Sequence, residues 1–258
     1  MTGFAERYGP WAVVAGASEG IGRAFAQALA AQGVNLILVA RRADPLAALA
    51  ASLPVATRQV VADLSTMDGL GTVFAATEAD EVGLVVCNAA YAPIGAFLDL
   101  SQLQVQTALD LNCRAVMLLA HHYLPAMVGR RRGGLIVMSS LAANQGSPGI
   151  SAYAATKAFG AIFAEGLWGE LRGTGVDVVT CVAGPVATPA LGRAAARPPS
   201  GTVAPAVVAA TALRALGRRP RTVPGTLMRI GAPLMTRLLP RRSAITVMGR
   251  ASKDLSTS

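Results

Sequence analysis

The sequence predicts an α/β fold: one doubly wound parallel sheet of about seven strands, with helices on both faces and a helical extension at the C-terminal end. Three observations lead there. Short apolar runs alternate with longer segments of helical period, some of the runs are continuously apolar, and the first one leads directly into a glycine-rich turn. Parallel strands need crossover connections and are covered on both sides, so they read as continuous runs such as LILVA and not as alternation. The chain has 258 residues, of which 53% are hydrophobic and 14% charged, with mean hydropathy +0.47. This excludes a disordered chain and suits one domain over residues 1–258.

In order, the candidate strands are Trp11 to Ala15, Val34 to Ala40, Arg58 to Ala62, Val82 to Cys87, Leu135 to Ser139, Val176 to Val182 and a short one near Thr222. Helical period fills 20–32, 44–52, 66–77, 101–128, 151–172 and 204–217, with Asp44 as the expected N-cap of the second of these. Residues 188–205 hold prolines and glycines without periodicity and read as a substrate loop. Residues 225–251 read as terminal helices broken at Pro233 and Pro240, packing on the core, with a substrate lid or a membrane-surface helix as the competing readings.

Net charge is +9 and pI about 10.5, almost all from arginine, because Lys157 and Lys253 are the chain's two lysines. The arginines scatter over loops with few aromatics between them, which argues against a nucleic-acid surface. No apolar run reaches the length of a membrane span. The amino-terminal residues show no basic region followed by an apolar stretch and cleavage site, so a cytoplasmic protein is expected. Cys87, Cys113 and Cys181 lie far apart, which fits reduced thiols and not a disulfide frame or a zinc site. His121 and His122 are adjacent, face different directions on a helix and have no carboxylate cluster beside them, so no metal site is expected. Met228, Met235 and Met248 read mainly as core filling, with adaptation to a flexible ligand as the alternative.

Three motifs carry chemistry. Gly16-Ala17-Ser18-Glu19-Gly20-Ile21-Gly22 lies between the first strand and first helix, where glycines permit a tight turn and helix amides meet a pyrophosphate. The second strand ends Val39-Ala40-Arg41-Arg42, without the acid that would hold an unphosphorylated ribose, and Arg41 offers a planar cation suited to a 2′-phosphate. The expected cofactor is therefore NADP(H). Tyr153 and Lys157 stand one helical turn apart, with Ser140 upstream at a strand end. The ammonium is expected to lower the phenol pKa and make it a proton donor and acceptor.

With these motifs in order, the chain resembles the short-chain dehydrogenase/reductase family from residue 8 to about 225. The match includes GASEGIG, Asp63-Leu64, Asn88-Ala89-Ala90, Asn112 in LDLNCRA, Ser140, YAATK and AGPVAT. The resemblance implies a Rossmann-type sheet and a catalytic tetrad of Asn112, Ser140, Tyr153 and Lys157. Ser140 would bind the substrate carbonyl, Tyr153 would protonate it, Lys157 would also hold the ribose, and Asn112 would hold a water linking Lys157 to solvent. Cofactor contacts are expected from Gly16, Ser18, Glu19, Gly20, Ile21, Gly22, Arg41, Arg42, Asp63, Leu64, Asn88, Ala89, Ala90, Tyr153, Lys157, Gly184, Val186 and Thr188. Ala15, Cys87, Ala90 and Ala183 depart from the commonest family pattern, but none of them removes a proton-transfer group.

Tyr91, Pro93, Ile94, Leu141, Ala142, Asn144, Ile150 and Leu191 are the expected substrate pocket, mostly apolar and suited to a lipophilic ketone. The opening RYGPWAVVAGASEGIGRAF, TVFAATE and HHY are similar to the hydroxysteroid dehydrogenase branch. Two alternatives stay open: a 3-oxoacyl-thioester reductase acting on carrier-protein or coenzyme A substrates, and a non-catalytic NADPH-binding regulatory or scaffold protein. Relatives pair through the helices corresponding to 101–128 and 151–172, so a homodimer or homotetramer is expected. Ala161, Ile162 and Ala164 suit either that interface or the sheet face.

Overall fold

The computed structural model describes residues 3–194, 199–226, 228–229 and 240–253. Seven parallel strands form one sheet: β1 (Trp11–Ala15), β2 (Asn35–Ala40), β3 (Thr57–Val61), β4 (Val82–Cys87), β5 (Gly133–Ser140), β6 (Val176–Ala183) and β7 (Arg221–Thr222). Their order is β3-β2-β1-β4-β5-β6-β7. The chain builds outward from β1 to β3 and then returns to place β4 on the other side of β1. That reversal opens a crevice at the carboxyl ends of β1 and β4.

The helices that build the fold are α1 (Phe4–Tyr8), α2 (Gly20–Ala30), α3 (Ala43–Ala51), α4 (Met67–Thr77), α5 (Gln102–Leu109), α6 (Ala115–Gly129), α7 (Ser151–Glu170), α8 (Pro189–Ala194), α9 (Pro205–Ala215) and α10 (Arg241–Lys253). Successive strand residues face opposite ways and both faces are covered. Ala12 and Val14 of β1 join a cluster with Phe25 and Leu29 of α2 and Val208 and Ala212 of α9. Val13 and Ala15 join the other, with Leu70 of α4, Leu119 and Met127 of α6 and Ala164 of α7. Fully burying an aliphatic side chain is worth about 1.5–3 kcal/mol, so this two-sided covering holds the strand ends that carry the site.

The structure corrects the sequence reading in four places. α1 has no counterpart in the expected elements. The N-cap of α3 is Arg42, and Asp44 lies in the first turn, where a carboxylate meets the positive end of the helix dipole. The expected helix over 101–128 is interrupted by a π-helical turn, Asp110–Arg114. Residues 188–205 are not wholly irregular: Thr188 Oγ1 accepts from the amide of Leu191 at 3.2 Å, and α8 follows with proline at its first position. In the extension, α10 begins just after Pro240 as expected. Pro233 and Met235 lie outside the described residues. No helix among the described residues is long and apolar enough to cross a membrane.

Candidate active site

A cleft of about 560 Å³ lies over the carboxyl ends of β1, β2 and β4. Ser18, Glu19, Gly20 and Ile21 line one end, with Arg41, Arg42, Asp63 and Leu64 beside them, and Asn88, Ala89, Ala90, Tyr153 and Thr188 along its length. The turn depends on its glycines. Gly16 has φ +78°, and a Cβ there would stand 2.8 Å from Cα of Ala89. At Gly22 a Cβ would overlap the carbonyl of Gly16, so this glycine lets α2 pack on its own turn. Asn88 braces the turn by donating from Nδ2 to the carbonyl of Gly16 at 3.1 Å.

Charge concentrates at the same end. Arg41 lies 3.8 Å from Asp63, and Arg42 donates to Oε2 of Glu19 at 2.7 Å. Burial pushes the Asp63 carboxyl up, but two hydrogen bonds from Ser65 and the charge of Arg41 bring it below the usual carboxylate range. Three arginines line the cleft, because Arg193 of α8 also reaches it. A glycine turn at the N-terminus of α2, beside these guanidinium groups, fits an anionic dinucleotide.

Tyr153 and Lys157 project from one face of α7 toward β5. Lys157 is buried and donates from Nζ to the carbonyl of Met138 at 3.0 Å, with Nζ 5.8 Å from the centroid of the Tyr153 ring. Ser139 ties the two elements together by donating to the carbonyl of Lys157 at 2.8 Å. Desolvation lowers the Lys157 pKa to about 8. The Tyr153 phenol is raised by burial and lowered by a hydrogen bond from Ser140, with a net upward shift. The net direction is therefore opposite to the expected lowering: burial is the largest cause, and the hydrogen bond from Ser140 is the one that opposes it.

Asn112 occupies the π turn. Its carboxamide pairs with Tyr91 as another peptide unit would, accepting from the Tyr91 amide at 2.9 Å and donating to the Tyr91 carbonyl at 2.8 Å. It also donates to Oγ1 of Thr156 at 2.9 Å, and Thr156 donates to the carbonyl of Tyr153. Asn112 is thus tied to Tyr91 and Thr156, and through Thr156 to the turn of α7 that carries Tyr153.

The expected substrate residues divide. Ile94, Ala142 and Ile150 pack with Ala154, Tyr153 and Met248 of α10 in one apolar cluster. Leu141 packs elsewhere, with Val182, Val223 and Met228, and Tyr91 packs on the cluster that includes α6. Pro93 is buried, Leu191 lies in α8, and the carbonyl of Asn144 accepts from Arg241 at 3.0 Å. Gly184 backs onto Leu141 and Met228, and the Val186 side chain is in the core, so neither is part of the cleft lining. Sequence reasoning missed Arg193, which came from a stretch without periodicity. Met248 packs against a core cluster as read from the sequence, and Tyr153 packs on that same cluster.

The family model for short chain dehydrogenases matches residues 10–198. A 7beta-hydroxysteroid dehydrogenase from Collinsella aerofaciens is 35% identical over 190 residues, covering 72% of each chain. Among solved structures, one of a 7beta-hydroxysteroid dehydrogenase superposes with TM-score 0.89 at 28% identity, covering 96% of this chain and 99% of that one. A short-chain dehydrogenase from Sphingobium yanoikuyae in complex with NADPH gives TM-score 0.79 at 29% identity, covering 89% and 94%. The chain belongs to the short-chain dehydrogenase family, as an NAD(P)-dependent oxidoreductase similar to hydroxysteroid dehydrogenases.

Proposed function

We propose that the protein is an NADP(H)-dependent reductase that reversibly converts a bulky, steroid-like ketone to a secondary alcohol. One observation carries this reading: Tyr153 belongs both to the lining of the arginine-bearing cleft and to the apolar cluster of Ile94, Ala142, Ile150 and Met248. A proton donor shared by an anion-binding cleft and an apolar surface suits a reaction between a charged cofactor and a lipophilic carbonyl.

When bound, a nicotinamide dinucleotide supplies the hydride for the carbonyl carbon. Gly16, Ser18, Glu19, Gly20 and Ile21 would hold it at the turn, Asp63 and Leu64 near the base, and Arg41 and Arg42 at a 2′-phosphate. Asn88, Ala89, Ala90 and Thr188 would meet the rest. The Ser140 hydroxyl orients the carbonyl oxygen, and Tyr153 gives its phenolic proton to that oxygen as negative charge develops there. Lys157 supplies positive charge beside the phenol from a site almost without water. Asn112 acts through Thr156 on the turn holding Tyr153, as a positioning residue.

The working compartment proposed is the cytoplasm, which suits three free cysteines. The functional unit proposed is a homo-oligomer paired through α5, α6 and α7. These helices carry Leu103, Leu109, Met117, Phe159 and Ile162 as exposed apolar side chains, whereas Ala161 and Ala164 are buried.

The test is cofactor consumption by the pure protein with NADPH or NADH and a panel of steroid ketones and acetoacetyl thioesters. The reading expects NADPH oxidation with the steroid ketones and a rate loss of about 10²–10⁴ for Tyr153→Phe. Turnover confined to thioesters overturns the substrate class. Turnover of Tyr153→Phe at the wild-type rate overturns the proton-transfer role, and no turnover of any ketone favours a binding protein.

A further inference from the structure

The cleft has two walls drawn from opposite ends of the chain. One consists of the glycine turn and the ends of β2 and β3, with Glu19, Arg41 and Arg42. The other follows β6, and from it Thr188, Ala190 and Arg193 line the same space. The walls meet at two points. Gly20, at φ +57°, faces Thr188 so closely that a Cβ would come within 2.9 Å of Thr188 Cγ2. The carboxylate of Glu19 is shared between them: Oε2 accepts from Arg42 at 2.7 Å, while Oε1 accepts from Nη2 of Arg193 at 2.8 Å.

α8 has six residues, none of them buried, and a Thr188 cap at its start. An element with so few buried contacts opens locally at small free-energy cost, so a single charge-assisted bond has more influence there than in the core. Both side chains remain partly in water, at 63% and 30% exposure, which limits the pair to the modest strength of surface ion pairs.

We propose that Glu19 and Arg193 form a latch holding α8 across the mouth of the cleft, so that Arg193 is a positioning residue that slows the departure of a bound dinucleotide. The proposal rests on the cofactor reading above and adds a residue to it. Because Arg193 acts through Glu19 and not on a phosphate, its loss affects NADPH and NADH alike, unlike loss of an arginine that reads the 2′-phosphate.

The experiment is stopped-flow displacement of NADPH and of NADH from the full chain, read by nucleotide fluorescence. Arg193→Met is expected to speed dissociation of both cofactors by about two- to fivefold, and Arg193→Lys to recover part of the loss. Glu19→Gln should match Arg193→Met with NADH, where Arg42 has no 2′-phosphate to bind, and the double variant should be no faster than either single one. Circular dichroism confirms that each variant is folded. Wild-type dissociation rates in Arg193→Met overturn the latch, as do additive single effects. An effect confined to NADPH makes Arg193 a phosphate ligand and overturns it too. Failure of the wild-type protein to bind either dinucleotide is a separate outcome, which removes the cofactor reading and the latch with it.

Discussion

Lys157 carries its ammonium at a place where only 6% of the residue meets solvent, and Nζ donates a hydrogen bond to the main-chain carbonyl of Met138. Desolvation disfavours the charged form and lowers its pKa to about 8 from 10.5. Between those values the unfolded chain holds the proton more tightly than the folded one. The stability penalty is therefore full below pH 8 and fades as pH rises from 8 to 10.5. The effect on catalysis has the opposite sign. Ketone reduction that uses the positive charge should have a kcat/KM that is level below about pH 8 and declines above it. A profile flat to pH 10 would show that the charge is not used. Arg41 presents a different case. It is 66% exposed and its carboxylate partner is 3.8 Å away, so little holds it from a phosphate. Arg41→Ala should raise KM for NADPH by roughly 10- to 100-fold, the worth of a hydrogen bond to a charged group, and hardly change KM for NADH. Equal losses would refute the phosphate role.

Among the elements, the π turn Asp110–Arg114 links geometry to chemistry most directly. An additional residue per turn re-phases the side chains beyond it and is a frequent mark of functional positions. Here Asn112 is placed to satisfy both main-chain groups of Tyr91 and to reach Thr156. Asn112→Leu keeps the volume and removes every one of these bonds. The loss expected is about 1–3 kcal/mol for a buried group left unpaired, seen as a lower Tm, together with reduced turnover because the Thr156 link to Tyr153 is cut. A wild-type Tm would mean that water replaces the carboxamide. β1 and β4 were legible because their runs are continuously apolar, and Trp11–Ala15 and Val82–Cys87 end where the sequence places them. The π turn was not, since LDLNCRA keeps helical period on both sides and the partner of Asn112, Tyr91, is distant in the chain. Nor was α8, whose six residues bury nothing and leave no periodic trace. In the site, residues recognised by local motif came together: Ser140, Tyr153 and Lys157, and likewise the turn with Arg41 and Arg42. On the expected substrate side, which of Ile94, Leu141 or Met248 packs with Tyr153 was not legible, because it depends on packing between segments far apart in the chain.

For the molecule as a whole, charge is set against apolar surface. Copies with a net charge of +9 repel one another, so the proposed pairing would have to come from apolar area that water leaves readily. α7 shows how its surface is divided. Ala161 and Ala164 are buried against the protein, while Ile162 on the same helix is 66% exposed and Phe159 37%. Leu103 of α5 at 71%, Leu109 at 50% and Met117 of α6 at 45% add to the outward apolar surface. A stable interface needs about 800 Å² from each partner, more than scattered single residues supply, and three helices can provide it only if these side chains act together. Ile162→Glu places a carboxylate in the middle of such a contact without disturbing the core. Light scattering at micromolar concentration should show wild-type protein at twice or four times the chain mass and the variant shifted to the monomer. Added salt should strengthen wild-type association, since screening weakens repulsion between like-charged copies while the apolar contact remains. A wild-type monomer, or association that weakens with salt, would show that the exposed faces of α5, α6 and α7 do not meet a second copy of this chain.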